Sequence, residues 1–197
     1  MRAFAETFFA YIGAPFRVSL SAGERDLGTA VLLFLIGMVS AALSFLMCRT
    51  TSLNPLLFIA GAAAFSAVML LSLAGKTALC NFSGVFGVKY RKGKSPRTFF
   101  ASAVSLHGFY LFLLPIACAL SAFRILHISS IVVAYAVFSI IILVFFYRAI
   151  KLHFDVRSTA SAFAVFLLPA FYDFCTSITT IVFLFTFLAQ IVPTAGG

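Results

Sequence analysis

The chain is 197 residues long, 63% hydrophobic and only 10% charged, with a mean hydropathy of +1.14 and a formal net charge of +9. No water-soluble domain of this length needs so much apolar surface, which excludes a soluble enzyme or a soluble nucleic-acid-binding module. The positive charge is accounted for by the positive-inside rule and by anionic lipid headgroups, so no nucleic-acid partner is expected.

Residues 1–27 carry Arg2, Glu6, Arg17, Glu24, Arg25 and Asp26 with no unbroken apolar run, unlike a cleavable signal peptide. Within them Phe4, Phe8, Ile12 and Phe16 recur every four residues, with Phe9 and Tyr11 alongside. Arg2, Glu6 and Arg17 supply a thin polar side. The pattern predicts an amphipathic helix over residues 3–18. It lies either on the cytoplasmic leaflet or packed under a helical bundle, and Pro15 should bend or end it.

Five apolar stretches follow: Gly28–Cys48, Thr50–Gly75, Thr98–Phe123, Ile125–Tyr147 and a long tail from Ser158 whose one charge is Asp173. About 20 apolar residues cross roughly 30 Å of hydrocarbon, so each stretch is long enough for one span. The expected fold is all-α, a polytopic bundle of five transmembrane helices over residues 28–192 with a short non-cytoplasmic tail at 193–197. Twelve of the 14 cationic residues then fall on one side, and only Arg49 and Arg124 on the other. That asymmetry puts the N-terminus in the cytoplasm and the C-terminus outside.

The punctuation between the stretches is clear. Ser21-Ala22-Gly23-Glu24 is a candidate capping box, and Asn54-Pro55 and Ser95-Pro96 suit an N-cap followed by the first helical residue. The turns at Arg49–Asn54 and Arg124–His127 are short enough for tight antiparallel hairpins. Ala60/Ala64, Ala62/Ser66 and Ala63/Ala67 in the second span make a small-residue face, suited to internal packing or to a second copy of the chain. The cytoplasmic loop is expected from Lys76 to Arg97. It concentrates Lys89, Arg91, Lys92, Lys94 and Arg97 around Tyr90 and Gly93, a cluster that attracts anionic headgroups at about 1 kcal/mol per cation. It lacks the glycine that a phosphate-binding loop places five positions before Gly93.

Little points to catalysis. There is no HExxH, no pair of membrane aspartates, and only five acids in all. Cys48, Cys80, Cys118 and Cys175 are scattered singly, so neither a metal nor another cofactor is expected. Two intramembrane polar residues stand out, His107 and Asp173, because ionisable groups at membrane depth are costly and often functional. His107 falls about 15 Å along a helix from Arg97. Thr176, Ser177 and Thr180 share a face with Asp173. The fifth stretch, about 52 Å as a helix, exceeds the hydrocarbon core. Either the part before Pro169 lies at the cytoplasmic interface, as Pro169 and the polar start Ser158-Thr159-Ala160-Ser161 favour, or the helix is kinked or tilted. In the first case the crossing begins at Ala170, and Asp173 lies near the cytoplasmic boundary, within reach of Arg148, Lys151 or Lys76. If it begins near Ser161, Asp173 lies near the midplane and approaches His107.

The five-span plan resembles the Yip (Ypt-interacting protein) family and its short prokaryotic relatives. The similarity lies in Phe8–Phe16 with Ala14-Pro15, in Gly93-Lys94-Ser95-Pro96-Arg97-Thr98-Phe99 leading into His107-Gly108-Phe109-Tyr110 and Pro115, and in the basic linker Ala149-Ile150-Lys151-Leu152 through Arg157-Ser158-Thr159-Ala160. In the family's trafficking members the resemblance implies contact with Rab-type GTPases. Their long cytoplasmic N-terminal region has no counterpart here, so GTPase binding is not carried over. For short members the resemblance implies a prokaryotic cytoplasmic membrane and no settled activity; the expected role is a non-catalytic membrane scaffold or membrane-organising protein of this type. The alternative is a small transporter or channel subunit with a polar pathway near His107 and Asp173. A third reading is an accessory subunit that docks on another membrane protein through the second span.

Overall fold

The computed structural model describes residues 2–21, 27–48, 55–82, 88–156 and 158–191. The helices are α1 (Arg2–Gly13), α2 (Pro15–Ser21), α3 (Leu27–Met47), α4 (Pro55–Phe82), α5 (Pro96–His107), α6 (Leu113–Ala122), α7 (Ile128–His153) and α8 (Thr159–Ile191), with a 3₁₀ stretch at Gly108–Phe112 joining α5 to α6. Five units are long and apolar enough to cross a membrane: α3, α4, α5 with α6, α7 and α8. The all-α, five-span expectation is therefore met.

Local chemistry explains the boundaries. Ser95 caps α5 in a reciprocal box: its hydroxyl accepts from the Thr98 amide, the Thr98 hydroxyl accepts from the Ser95 amide, and Pro96 opens the helix. At the end of α6, Ile125 N–H bonds to Leu120 O (3.0 Å) and Arg124 N–H to Ser121 O (2.9 Å), the double closure of a Schellman motif. Arg124 takes the left-handed position with φ 57°, where glycine is usual. Pro15 separates α1 from α2, and Pro55 opens α4. Ala22–Glu24 and the turn Arg49–Asn54 lie outside the described residues.

The third span is broken in the middle, which its composition did not announce. The break sits where α3 presses closest. A Cβ on Gly37 would lie 3.0 Å from Gly108 Cα and 3.0 Å from the carbonyl oxygens of His107 and Gly108, so a side chain there would push the two backbones apart by a few tenths of an ångström. Ser40 then satisfies the interrupted backbone. Its hydroxyl donates to Leu111 O at 2.8 Å and accepts from Leu114 N–H at 3.1 Å. A neighbouring serine supplying such bonds is how broken helices are tolerated in lipid.

The N-terminal helices meet both alternatives in part. One face packs into the bundle. Tyr11 is fully buried and donates to Ser105 O at 2.9 Å, Ser19 accepts from the Ser105 hydroxyl, and Phe16 stacks on Phe145 with ring centroids 3.6 Å apart. Ser105 lies nine residues inside α5, about 14 Å along its axis, so this contact is deeper than a headgroup layer. The opposite face keeps Phe9 and Ile12 exposed, as an interfacial helix would.

The small-residue face of the second span turns mostly outward. Gly61, Phe65 and Ser66 are buried, but Ala60, Ala63, Ala64 and Ala67 are exposed. Internal packing is therefore carried by the adjacent face, because Phe65, Met69 and Leu73 recur on the helix period and join the core.

Candidate functional site: an ion pair between the second and fifth spans

Lys76 is not in a loop. Sequence reading ended the second span at Gly75, where the first charge appears. Yet α4 continues to Phe82, because nothing between Lys76 and Phe82 breaks a helix and Cys80 joins the core. This places Lys76 six residues inside the helix end, about 9 Å along its axis. Its side chain is 0% exposed.

Lys76 Nζ stands 2.6 Å from Asp173 Oδ1 on α8 and 4.5 Å from the centre of the Phe146 ring on α7. It makes no other hydrogen bond among the described residues. The charge is thus held by a carboxylate and an aromatic face, the two partners that offset the loss of water around an ammonium. The helices approach closely around the pair. A Cβ on Gly75 would lie 2.6 Å from the Tyr172 hydroxyl, and Ser72 donates to the Thr176 hydroxyl at 3.0 Å. Gly75, Lys76 and Ser72 thus face Tyr172, Asp173 and Thr176 as one antiparallel seam with helical spacing on both sides.

Of the three partners anticipated for Asp173 near the boundary, Lys76 is the one it meets. The helix nevertheless runs unbroken through Pro169. His107 is also buried. Its Nδ1 lies 2.9 Å from Ala103 O. Since a carbonyl only accepts, Nδ1 carries the proton. Of the two polar residues singled out in sequence, Asp173 pairs with Lys76 and His107 bonds within its own helix. The missed signal was available: Lys76 is the one cation flanked by Gly75 and a further helical run rather than by other charges.

Beside the pair is a layer of hydroxyls. Tyr110 and Tyr135 stack with centroids 4.8 Å apart. Ser139 donates to Tyr135 O at 3.0 Å, so the Tyr110 hydroxyl, 2.7 Å away, is the donor to Ser139. The Tyr135 hydroxyl is buried beside these groups. A cavity of about 250 Å³ lies between α7 and α8, lined by Tyr135, Ser139, Asp173, Ser177 and apolar side chains.

The basic loop forms a second, surface feature. It is pinned to the segment after α7: Arg91 N–H bonds to His153 O (2.8 Å), Asp155 N–H to Lys89 O (2.7 Å), and Arg91 Nε–H to Phe154 O (3.2 Å). Tyr90 stacks on Phe154 at 4.4 Å and hydrogen-bonds Asn81, and burial raises its phenol above the ordinary value. The two basic segments expected on one side therefore do meet. Lys89, Arg91, Lys92 and Arg97 are exposed, and Lys94 is half-buried. With Lys76 moved into α4, eleven cations remain on that side against two, so the asymmetry stands.

Comparison of the chain with family models, with characterised proteins and with solved structures finds no match, and the resemblance to the Yip family rests on the sequence motifs alone.

Proposed function

We propose that this chain is a non-catalytic scaffold or organiser within the membrane, its basic loops and N-terminus cytoplasmic and its C-terminus outside. The observation that carries the reading is the closure of the Lys76–Asp173 pair. The ammonium is wholly buried in a helix seam, and His107 is bonded to its own helix. Polar groups consumed in packing belong to a structural part, whereas a solute pathway needs them turned toward water. The outward alanines of α4 provide a close-approach face for a second copy or another membrane protein. The pinned cations face anionic headgroups.

The transporter reading keeps one observation in its favour, the cavity bordering Asp173. An apolar replacement of the pair separates the two. Lys76→Met with Asp173→Leu should rescue a deletion strain and leave proteoliposomes as tight to protons and cations as the original protein. Loss of rescue together with a loss of ion flux sinks the scaffold reading.

A further inference from the structure

The cavity between α7 and α8 is a furrow along the outside of the bundle. Its walls are almost wholly apolar, from Ala136 to Leu143 on one helix and from Ala170 to Ile178 on the other, about 10–12 Å of helix axis. Ala136, Ile140, Phe174 and Ile178 are exposed, so it opens toward lipid. A volume of about 250 Å³ over that length is about as wide as one hydrocarbon chain.

The depth of the furrow suits such a chain. From Ile128 to Tyr147, α7 measures about 28 Å, one hydrocarbon thickness. Tyr147 is half-buried at the level where tyrosines anchor spans, and Arg148 and Lys151 are exposed just beyond it. The furrow therefore starts one turn, about 6 Å, below the Tyr147 level and ends near the midplane. Acyl chains of the leaflet on the side of the basic loop occupy that range.

The head end carries a charge. Lys151 continues the stripe of Ala136, Ile140, Leu143 and Tyr147 at helical spacing. Its ammonium leans back over the Tyr147 ring, 5.8 Å from the ring centre. Tyr147 meets Phe166 edge-on at 5.3 Å, which closes the two helices together above the furrow. About one turn of helix then separates the ammonium from the first apolar wall, the interval that a glycerol and its ester linkage bridge. Asp173 is the charged residue of the lining; it is held by Lys76 and would repel an anion. Charge complementarity therefore puts an anionic head at Lys151 and leaves the furrow to the chain. A larger groove of about 440 Å³, between α3 and the broken third span, has no such end. Leu27–Met47 and Thr98–Ala122, which form it, contain no Lys, Arg, Asp or Glu.

We propose that an anionic phospholipid binds α7 and α8 at a discrete site, its phosphate on Lys151 and one acyl chain in the furrow. The site uses none of the loop cations from Lys89 to Arg97, and it rests on the placement of the spans, not on the scaffold reading.

The test uses the full chain in phosphatidylcholine nanodiscs with a trace of phosphatidylglycerol carrying a diazirine on one acyl chain. Phosphatidylcholine with the same chain is the comparison, and adducts are mapped by mass spectrometry after irradiation. The anionic probe should label Ala136–Leu143 and Ala170–Ile178 about fivefold more than the neutral one, while both label the groove beside α3 equally. Lys151→Gln, a change at an exposed position, should remove that preference. Ala136→Phe should fill the deep end and reduce labelling of the furrow by both probes. Gln at Lys89, Arg91, Lys92 and Lys94 should leave the preference intact, and soluble glycerol phosphate should not compete. Equal labelling of the furrow by the two probes overturns the proposal, because any chain would then fill it. So does a preference that survives Lys151→Gln or disappears with the loop cations, which would put the head elsewhere. Undiminished labelling in Ala136→Phe would place the chain outside the furrow, and competition by glycerol phosphate would mean a phosphate site that has no use for a chain; each overturns it as well.

Discussion

Lys76 and Asp173, on helices from opposite halves of the chain, are joined by a 2.6 Å ion pair that holds α4 against α8. Breaking it from one side leaves a charge in a seam built to exclude water. Lys76→Met or Asp173→Leu alone should each destabilise the protein by about 3–5 kcal/mol, whereas the two together should come within about 1 kcal/mol of the original. Reversible unfolding in mixed micelles measures all three. Single variants as stable as the double would show that the pair does not hold the seam.

The N-terminal helices depend on a buried phenol. Tyr11 is fully buried and donates to Ser105 O at 2.9 Å, which ties α1 to the third span. Tyr11→Phe should lose about 1 kcal/mol and speed proteolysis of the N-terminal helices, which limited digestion in nanodiscs measures. Unchanged digestion would show that ring packing alone holds them.

Much of this was legible in residue order, and the gaps have physical causes. Span positions follow from apolar length, and the α5 cap from Ser95, Pro96 and Thr98. Lys76 was misplaced because charge was taken as the end of a span, while helix propensity carried α4 on to Phe82. The break at Gly108 was invisible because it depends on Gly37, a residue far away in sequence. The pairing of Lys76 with Asp173 is likewise a product of packing. Each misreading involves a contact between spans, which hydropathy along one span cannot encode.

The basic platform should select lipids by charge. Replacing Lys89, Arg91, Lys92 and Lys94 with Gln should reduce co-purifying anionic lipid and its sensitivity to salt. The bridge to Phe154 uses backbone groups, so the loop should stay in place, which exchange protection of the Arg91 amide would report. Unchanged lipid content would leave these residues with a topogenic role only.

The proposed orientation rests on the eleven-to-two charge split. A reporter that fluoresces only in the cytoplasm should be bright on the N-terminus and dark when fused after Gly197. A bright C-terminal fusion would require an even number of crossings and contradict the five-span arrangement.

Arg124 holds a left-handed backbone position at φ 57° in the turn between α6 and α7. Arg124→Gly should relieve that strain and raise stability by up to about 1 kcal/mol. A measurable loss on thermal unfolding would mean that the guanidinium has a partner worth more than the strain.

Ser40 has a consequence for how the molecule is made. The third span cannot satisfy its own backbone between Leu111 and Leu114, and the group that does so belongs to α3. Synthesis delivers the two in a useful order, since the first span is already in the bilayer when the third emerges from the ribosome. The earlier helix can then act as an internal chaperone, supplying its hydroxyl and the Gly37 gap as the later one arrives. A circular permutation that reversed this order would present the third span to lipid without its template, and its insertion would become the slow, error-prone step of assembly.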